Sequence, residues 1–280
     1  MPAAFWYYGL VIVSIVLITV SLRHRQDWKL LVLHLTITSI IYPVEVLIFL
    51  TKGYKYKPDI LLYPPGADNI LGAYVSDFFI VPASAVLIQA FSLSRPVILG
   101  IAGIFTGIDW FFTVLGIYQH FWWKSVYTGM GLLVLYTVSG WLWTGIKNQH
   151  WSLLFRLLVI YLTHFALQGV LFFAANRGGV LFQMHFPHIE ADIPQLMTVL
   201  VGLYQLIISA AVTAGTGLKR RRYKVLGIFA ALAVTWAIGH FGIFIPQAEI
   251  TPYHLLILSA AALVATIALF RAAKLDCLIP

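Results

Sequence analysis

Charged residues are scarce in this chain, and their scarcity excludes most classes of protein. Of its 280 residues, 10% are Asp, Glu, Lys or Arg and 61% are hydrophobic, and the mean hydropathy is +0.90. A soluble domain carries about 25% charged residues. So few charges could not cover the surface of a soluble protein of this length. The composition therefore excludes a cytosolic enzyme, a nucleic-acid-binding module and a disordered tail, and it indicates a multi-pass membrane protein.

Several chemical signatures are missing as well. The chain has a single cysteine, Cys277, so it cannot form an intrachain disulfide. It has no H-E-x-x-H, G-x-S-x-G or Walker sequence, and no lysine lies in the middle of the last apolar segments. These absences argue against a zinc protease, a serine hydrolase, a nucleotide-binding protein and a retinal Schiff base. We therefore expect no cofactor.

Long apolar segments make up most of the chain. A helix that crosses a membrane needs about 20 mainly apolar residues. Nine segments approach or exceed this length: about 5–22, 30–50, 70–92, 96–117, 125–146, 152–174, 194–217, 225–245 and 253–272. We predict one all-α integral membrane domain over residues 1–280, a polytopic bundle of about nine transmembrane helices. No convincing internal repeat is found in the sequence.

Lysine and arginine are distributed unevenly between the two ends of the predicted helices. Cytoplasmic loops of membrane proteins carry the excess of these residues. Thirteen of the 18 lie on the side of the basic run 219–222, and five lie on the side of the loops 51–69 and 175–193. The sequence thus predicts an outside N-terminus and an inside C-terminus. Topology also accounts for the net charge of +8, so we expect no nucleic-acid partner.

Three acidic residues, Glu45, Asp77 and Asp109, lie inside predicted transmembrane helices. A charge at the centre of a bilayer costs about 2.5–3.5 kcal/mol on the insertion scale, so such residues mark a function or a buried partner. No Lys or Arg lies deep enough to neutralise them. They must be protonated, share protons, bind a cation or pair with histidine. We predict that at least one carries its proton at pH 7.

Other polar residues share helical faces with these acids and with each other. Polar faces turn toward protein or a wet cavity rather than toward lipid. The groups are His34, Thr38, Tyr42 and Glu45; Tyr74, Asp77 and Ser84; Thr106, Asp109 and Thr113; Tyr161, His164 and Gln168; Thr198, Gly202, Gln205, Ser209 and Thr213; and Trp236 with His240. We predict one connected polar cavity that opens outward or sideways to the outer leaflet.

The members of this predicted cavity are assigned two roles. A buried carboxylic acid holds its proton firmly, so it protonates an alkene poorly unless a partner such as His34 or His164 polarises it. The predicted catalytic residues are Glu45, Asp77, Asp109 and His164, and the predicted substrate-binding residues are His34, Tyr42, Tyr74, Gln168, Gln205 and His240. The expected ligand is a lipophilic small molecule or a lipid of the surrounding bilayer.

Two prolines lie beside the acids. Pro43 precedes Glu45, and Pro82 follows Asp77. A proline within a helix leaves the carbonyl four residues earlier without its donor. In a membrane such a carbonyl needs a buried partner or water. The prolines therefore indicate either a functional opening of the helix or a simple kink for packing, and the sequence favours neither.

One loop concentrates residue types that bind metals: His185, His188, Glu190 and Asp192. Zinc accepts histidine and carboxylate ligands. The spacing matches no standard zinc site, and loops use His and Asp freely. A solvated loop is the favoured interpretation, so we expect no metal.

The segment from residue 42 to about 136 resembles an uncharacterised family of multi-pass membrane proteins from spore-forming Firmicutes. The resemblance rests on Tyr42-Pro43, on the stretch 74–82 with Phe78-Phe79, on Leu115-Gly116-Ile117-Tyr118, on Trp122-Trp123 and on Tyr127-Thr128. It implies no catalytic residue. We expect a multi-pass protein of the cell membrane, specifically a bacterial plasma membrane.

Three classes of function remain open. The first is an intramembrane enzyme that transfers protons to a lipophilic, isoprenoid-like substrate, as integral-membrane terpene cyclases do. The second is a transporter or proton-coupled carrier, which the apparent lack of a repeat disfavours because many carriers consist of paired repeats. The third is a non-catalytic membrane protein. Carboxyl groups without basic partners disfavour it, because they cost insertion energy without improving packing.

Overall fold

The computed structural model describes residues 2–61, 66–149, 152–176, 182–184, 194–217, 221–240, 244–246 and 252–275. The chain divides into two compact units, Met1–His150 and Trp151–Pro280. The basic run 219–222 lies partly outside the described residues. Also wholly outside them are Cys277 and four loop residues that the sequence favoured as solvated rather than metal-binding: His185, His188, Glu190 and Asp192.

The described part of the first unit contains five helices and two short strands. They are α1 (Ala3–Arg25), α2 (Lys29–Leu50), β1 (Tyr54–Tyr56), α3 (Ala67–Phe91), α4 (Arg95–Val114), β2 (Tyr118–His120) and α5 (Ser125–Asn148). Within α3, residues Val75–Ile80 form a π-helical turn. The strands pair antiparallel, with Tyr54 opposite His120 and Tyr56 opposite Tyr118.

The described part of the second unit contains four helices and two strands. They are α6 (Leu153–Asn176), β3 (Phe182–Met184), α7 (Pro194–Gly217), α8 (Arg221–His240), β4 (Phe244–Pro246) and α9 (Pro252–Ala272). The strands again pair antiparallel. A core of Phe172, Tyr204, Ile208 and Leu255 joins α6, α7 and α9.

The helices agree with the prediction of a helical membrane protein. Six of those that the structure describes are long and apolar enough to cross a membrane: Ala3–Arg25, Lys29–Leu50, Ala67–Phe91, Arg95–Val114, Ser125–Asn148 and Leu153–Ala175. A helix satisfies all its backbone hydrogen bonds internally, which hydrocarbon requires. Large apolar side chains such as Ile12 and Val134 are exposed, as on a surface that faces lipid. The structure is therefore largely helical, and its long apolar helices are compatible with the predicted all-α membrane bundle.

The two units repeat one order of elements, which the sequence did not reveal. α2-β1-α3-α4-β2-α5 is followed by α6-β3-α7-α8-β4-α9, while α1 has no counterpart. Corresponding elements begin at similar separations: for α3 and α7, 194 − 67 = 127, and for α4 and α8, 221 − 95 = 126. The expectation of no repeat is thus corrected. The order of elements is the same in both units while their side chains differ, so a comparison of residues does not detect the repeat.

The two units differ in how their third and fourth repeated elements pack. In the second unit α7 and α8 pack directly, and a Cβ on Gly227 would lie 2.4 Å from the carbonyl oxygen of Ala211. In the first unit α3 packs instead along α1. Tyr7 of α1 contacts Phe112 of α4, with ring centroids 5.7 Å apart. The extra helix α1 therefore touches both α3 and α4, whose counterparts in the second unit meet without it.

Candidate functional site

A cavity of about 430 Å³ lies within the first unit and is lined by residues of all five helices and both strands. This volume lies in the range of small-molecule sites. Its walls are mainly apolar, with Ile40, Ile48, Phe105, Ile108 and Leu135 among the lining residues. The cavity can therefore surround a ligand that is largely hydrocarbon.

The cavity also reaches the lateral surface of this unit. Val44 of α2 and Val134 of α5 line it, and their side chains are 53% and 65% exposed. At the end that carries the strands, Tyr54, Tyr56 and Tyr118 cover it.

The three acids predicted to share one cavity do so. Glu45 from α2, Asp77 from α3 and Asp109 from α4 all line it. No Lys or Arg is among the lining residues of this cavity. Three residues with carboxyl groups thus line one mainly apolar space, and none of the residues that line it is a Lys or Arg.

Glu45 is held by the covering strands. The hydroxyl of Tyr54 donates a hydrogen bond to its carboxylate oxygen Oε2. Tyr54 packs against Tyr118 at 5.1 Å, and Tyr118 stacks on Tyr56 at 4.8 Å between ring centroids. Burial, reinforced by the charge of Glu45, raises the pKa of Tyr54 well above its ordinary value. The phenols therefore stay neutral and can act as hydrogen-bond donors.

The cover fits closely on α3. A Cβ on Gly72 would lie 2.2 Å from the Cβ of Tyr56, so only glycine allows β1 to approach α3 here. The backbone N–H of Tyr56 donates to the Asn69 side chain at 2.7 Å. These contacts fix the tyrosine cover over the acids.

Asp109 has two polar partners near the strands. The hydroxyl of Thr128 donates to its Oδ2 at 2.8 Å, and the indole of Trp123 donates to Thr128 at 2.9 Å. The Nε2 atom of His120 lies 3.0 Å from Oδ1, and neither of these two buried atoms has another partner among the described residues. Asp109 is thus oriented by α5 and faces a histidine of β2.

Sequence analysis missed His120. It lies between two predicted helices, where no periodicity applies, and only 11 positions beyond Asp109. The turn after α4 and the pairing of β2 with β1 bring its side chain back toward the helix end. The available signal was a histidine close in sequence to a membrane acid.

Asp77 lies in the π-helical turn of α3. Pro82 has no N–H, so the Phe78 carbonyl lacks a helical donor, and Val81 N–H bonds to Ser76 five residues earlier. Wide turns of this kind often occur at functional sites. His34 Nε2 donates to the Phe78 carbonyl at 2.8 Å. The buried partner that Pro82 required is therefore His34.

Three predicted substrate-binding residues of the first unit do not line the cavity. His34 is buried against Phe78, with ring centroids 5.6 Å apart. Tyr42 on α2 and Tyr74 on α3 are partly buried, and neither is among the lining residues. Ile40 and Ile41 on α2 and Gly72 and Ser76 on α3 line the cavity instead, so it lies on a face of each helix that excludes the two tyrosines.

The remaining predicted site residues belong to the second unit. His164 Nδ1 lies 2.9 Å from the Ser209 hydroxyl, which donates to Gln168 at 3.2 Å. Gln168 donates a hydrogen bond to Ser259 at 3.1 Å. Gln205, which is next to Tyr204 in the sequence, is also buried. These residues form the polar interior of that unit.

His240 departs from its expected inward position. It is exposed at the last residue of α8 and stacks on the exposed Trp236, with ring centroids 4.7 Å apart. The one-turn spacing of the two rings was identified correctly. Their face, however, is an outer face of the helix.

The repeat shows what the second unit has at the positions of the acids. By the offsets of 127 and 126, Asp77 corresponds to Tyr204 and Asp109 to Thr235. The hydroxyl of Tyr204 lies 3.2 Å from that of Thr235 and 3.4 Å from that of Ser259. A neutral, hydrogen-bonded core therefore occupies the positions that carry acids in the first unit.

Metal ligands do not cluster in the part of the chain that the structure describes: no group of three or more His, Cys, Asp or Glu residues could hold an ion. Comparison with family models, with curated proteins and with solved structures finds no match to this chain. The site must therefore be interpreted from its own geometry.

Proposed function

We propose that the chain is a nine-span protein of the bacterial plasma membrane, with its N-terminus outside, whose first unit is an enzyme. It transfers protons to and from a lipophilic, isoprenoid-like substrate, as membrane-embedded terpene cyclases do. The observation that carries this proposal is the meeting of Glu45, Asp77 and Asp109 in one apolar cavity. Placing such a group of acids within a membrane costs free energy, so acids at this depth indicate a function.

Asp109 is the proposed acid. A carboxylic acid that protonates an alkene needs a polarising partner, and His120 stands 3.0 Å from its Oδ1 atom. This assigns to His120 the role first expected of His34 or His164. The Asp109 proton bonds to one alkene carbon, the π electrons form the new C–H bond, and the neighbouring carbon becomes a cation.

Glu45 and Asp77 are the proposed bases. Loss of a proton from a carbon beside the cation to either carboxylate restores a double bond, so no other reactant is needed. The faces of Tyr54, Tyr118 and Trp123, which line the cavity, can stabilise the cation before that step. The net result is a shifted double bond or, in a longer chain, a closed ring.

Deuterium incorporation tests the proposal. The full chain in lipid nanodiscs is incubated in D₂O with polyprenyl and carotenoid substrates, and products are analysed by mass spectrometry. We expect isomerised or cyclised products that carry deuterium. Asp109→Asn and the double change Glu45→Gln with Asp77→Asn should abolish them, while Asp59→Asn, at an exposed acid outside the cavity, should not. Unaltered substrates in the unmodified protein would refute the enzyme.

A carrier is the second candidate, because the repeated order of the two units is typical of transporters. A carrier moves its compound unchanged. Proteoliposomes with a pH gradient distinguish the two functions: accumulation of unmodified compound that depends on Asp109 favours the carrier, and a deuterated product favours the enzyme. Absence of both activities in the unmodified protein would favour a non-catalytic membrane protein.

A further inference from the structure

We propose that His120 is a proton relay, which carries protons between water at the strand end of the first unit and Asp109. This inference rests on the proposed function, because only an acid that gives up its proton must be reloaded. It concerns a positioning residue that acts through Asp109 and does not touch the substrate.

The need for a relay follows from the division of tasks. If Asp109 delivers the proton and Glu45 or Asp77 receives one, each turnover leaves Asp109 one proton short. The cavity that the three acids line is mainly apolar, so it offers few groups that could pass a proton from one acid to another. A reload from outside the cavity therefore needs its own path.

His120 has the required position on that path. Its Nε2 atom is buried 3.0 Å from Asp109 Oδ1, while its side chain as a whole stays 16% exposed. The Nε2 edge of the ring therefore faces the acid, while part of the side chain is accessible to water. The opposite Asp109 oxygen already accepts from Thr128, which leaves Oδ1 for the exchange with histidine.

The neighbouring residues keep this geometry fixed. Tyr118 packs edge-on against the His120 ring, with centroids 4.9 Å apart, and Tyr54 pairs with His120 across the two strands. Burial raises the pKa of Tyr118 well above its ordinary value, so this phenol does not supply the proton. The other titratable groups that line the cavity are Glu45 on α2 and Asp77 on α3, the proposed acceptors, and the phenols of Tyr7, Tyr54, Tyr56 and Tyr127.

The transfer balances without another reactant. A hydronium ion gives a proton to the other ring nitrogen, Nδ1, and becomes water; the Nε2–H bond breaks, and that proton bonds to Asp109 Oδ1. The ring is left neutral with its proton on Nδ1. Rotation of the ring then brings Nε2 to water, where the ring exchanges its proton and returns to the first tautomer. The reverse sequence would unload Asp109.

Time-resolved infrared spectroscopy tests the relay without any substrate. A caged proton releases acid by flash photolysis onto the full chain in nanodiscs, and the carboxyl C=O band of Asp109 is followed. Its absence in Asp109→Asn identifies the band. We expect His120→Gln to slow the protonation of Asp109 about a hundredfold, the lower end of what a positioned proton-transfer group contributes.

Two controls separate a relay from a structural effect. His24→Gln removes a histidine that stacks on Phe91, away from the cavity, and should leave the rate unchanged. In His120→Ala, added imidazole should restore part of the rate. An unchanged rate in His120→Gln, equal slowing in His24→Gln, or no rescue by imidazole would overturn the relay. If only the deuterium experiment failed, the proposed enzyme would be refuted, but the role of His120 in protonating Asp109 would not.

Discussion

The Nε2 atom of His34 lies 2.8 Å from the carbonyl oxygen of Phe78, the carbonyl that Pro82 leaves without a helical donor. Both groups lie within helices that are long and apolar enough to cross a membrane. This hydrogen bond ties α2 to the π-helical turn that carries Asp77. Pro82 therefore removes the helical donor of the Phe78 carbonyl, and His34 supplies a replacement donor from α2.

Replacing His34 should destabilise the protein in a way that depends on Pro82. His34→Leu leaves the buried Phe78 carbonyl unsatisfied, so we expect the free energy of unfolding to fall by about 1–3 kcal/mol. In a Pro82→Ala background the new N–H can reach Phe78, and the same change should cost less. Equilibrium unfolding in mixed micelles measures the four variants as a double-mutant cycle. Strictly additive costs would contradict the pairing.

Gly72 should not tolerate a side chain. In Gly72→Ala the new Cβ would lie 2.2 Å from the Cβ of Tyr56, so β1 must move away from α3. We expect a loss of about 1–3 kcal/mol in stability, as for an overpacked core. Gly100→Ala is the matched control, because nothing lies within 4 Å of its Cβ position. Thermal unfolding of both variants measures the difference, and equal melting temperatures would contradict the close contact.

High pH should destabilise the fold through the buried phenols of the cover. Burial raises the pKa of Tyr54, Tyr56 and Tyr118 well above the ordinary value of 10.0. Above pH 10 the unfolded chain therefore loses these protons while the folded chain keeps them, and stability falls as pH rises. Unfolding at pH 8 and pH 11 should show this decrease. Changing the three residues to Phe together should make it smaller, and an unchanged decrease would disprove their part in it.

Much of the fold and part of the site could be predicted from local pattern. Apolar segments of spanning length located the helices, because hydrocarbon requires internal backbone hydrogen bonds. Helical spacing also predicted that Glu45, Asp77 and Asp109 share a cavity, as they do. Side chains within one helix have fixed relative directions, so a stripe of polar residues indicates the inner face.

The missed features depend on contacts between distant segments. The strands β1 and β2 have three residues each, too few to show an alternating pattern. Their pairing brings Tyr54 to the cavity and His120 to Asp109, and no local signal in the sequence predicts it. The repeat of the two units is kept in the order of elements rather than in the residues, as the replacement of Asp77 by Tyr204 illustrates.

The topology predicted from Lys and Arg can be tested by labelling single cysteines. In a Cys277→Ser background, Lys55→Cys places an exposed thiol on β1, and Arg222→Cys places one at the start of α8. With an outside N-terminus, an impermeant maleimide should label position 55 in intact cells and position 222 only after lysis. Labelling of position 222 but not of position 55 in intact cells would reverse the topology.

Two glycine substitutions, Gly227→Ala in α8 and Gly131→Ala in α5, should change stability in opposite directions. A Cβ on Gly227 would lie 2.4 Å from the backbone oxygen of Ala211 and 2.9 Å from the backbone nitrogen of Gly215, and backbone atoms cannot rotate aside. Gly227→Ala must therefore separate the two helices, and we expect the free energy of unfolding to fall by about 1–3 kcal/mol. On α5, a Cβ on Gly131 meets nothing within 4 Å, so Gly131→Ala should raise stability by up to about 1 kcal/mol through helix propensity. Unfolding of the two variants in the same micelles gives the comparison. If Gly227→Ala were as stable as Gly131→Ala, the direct packing that distinguishes the second unit from the cavity-bearing first unit would be wrong.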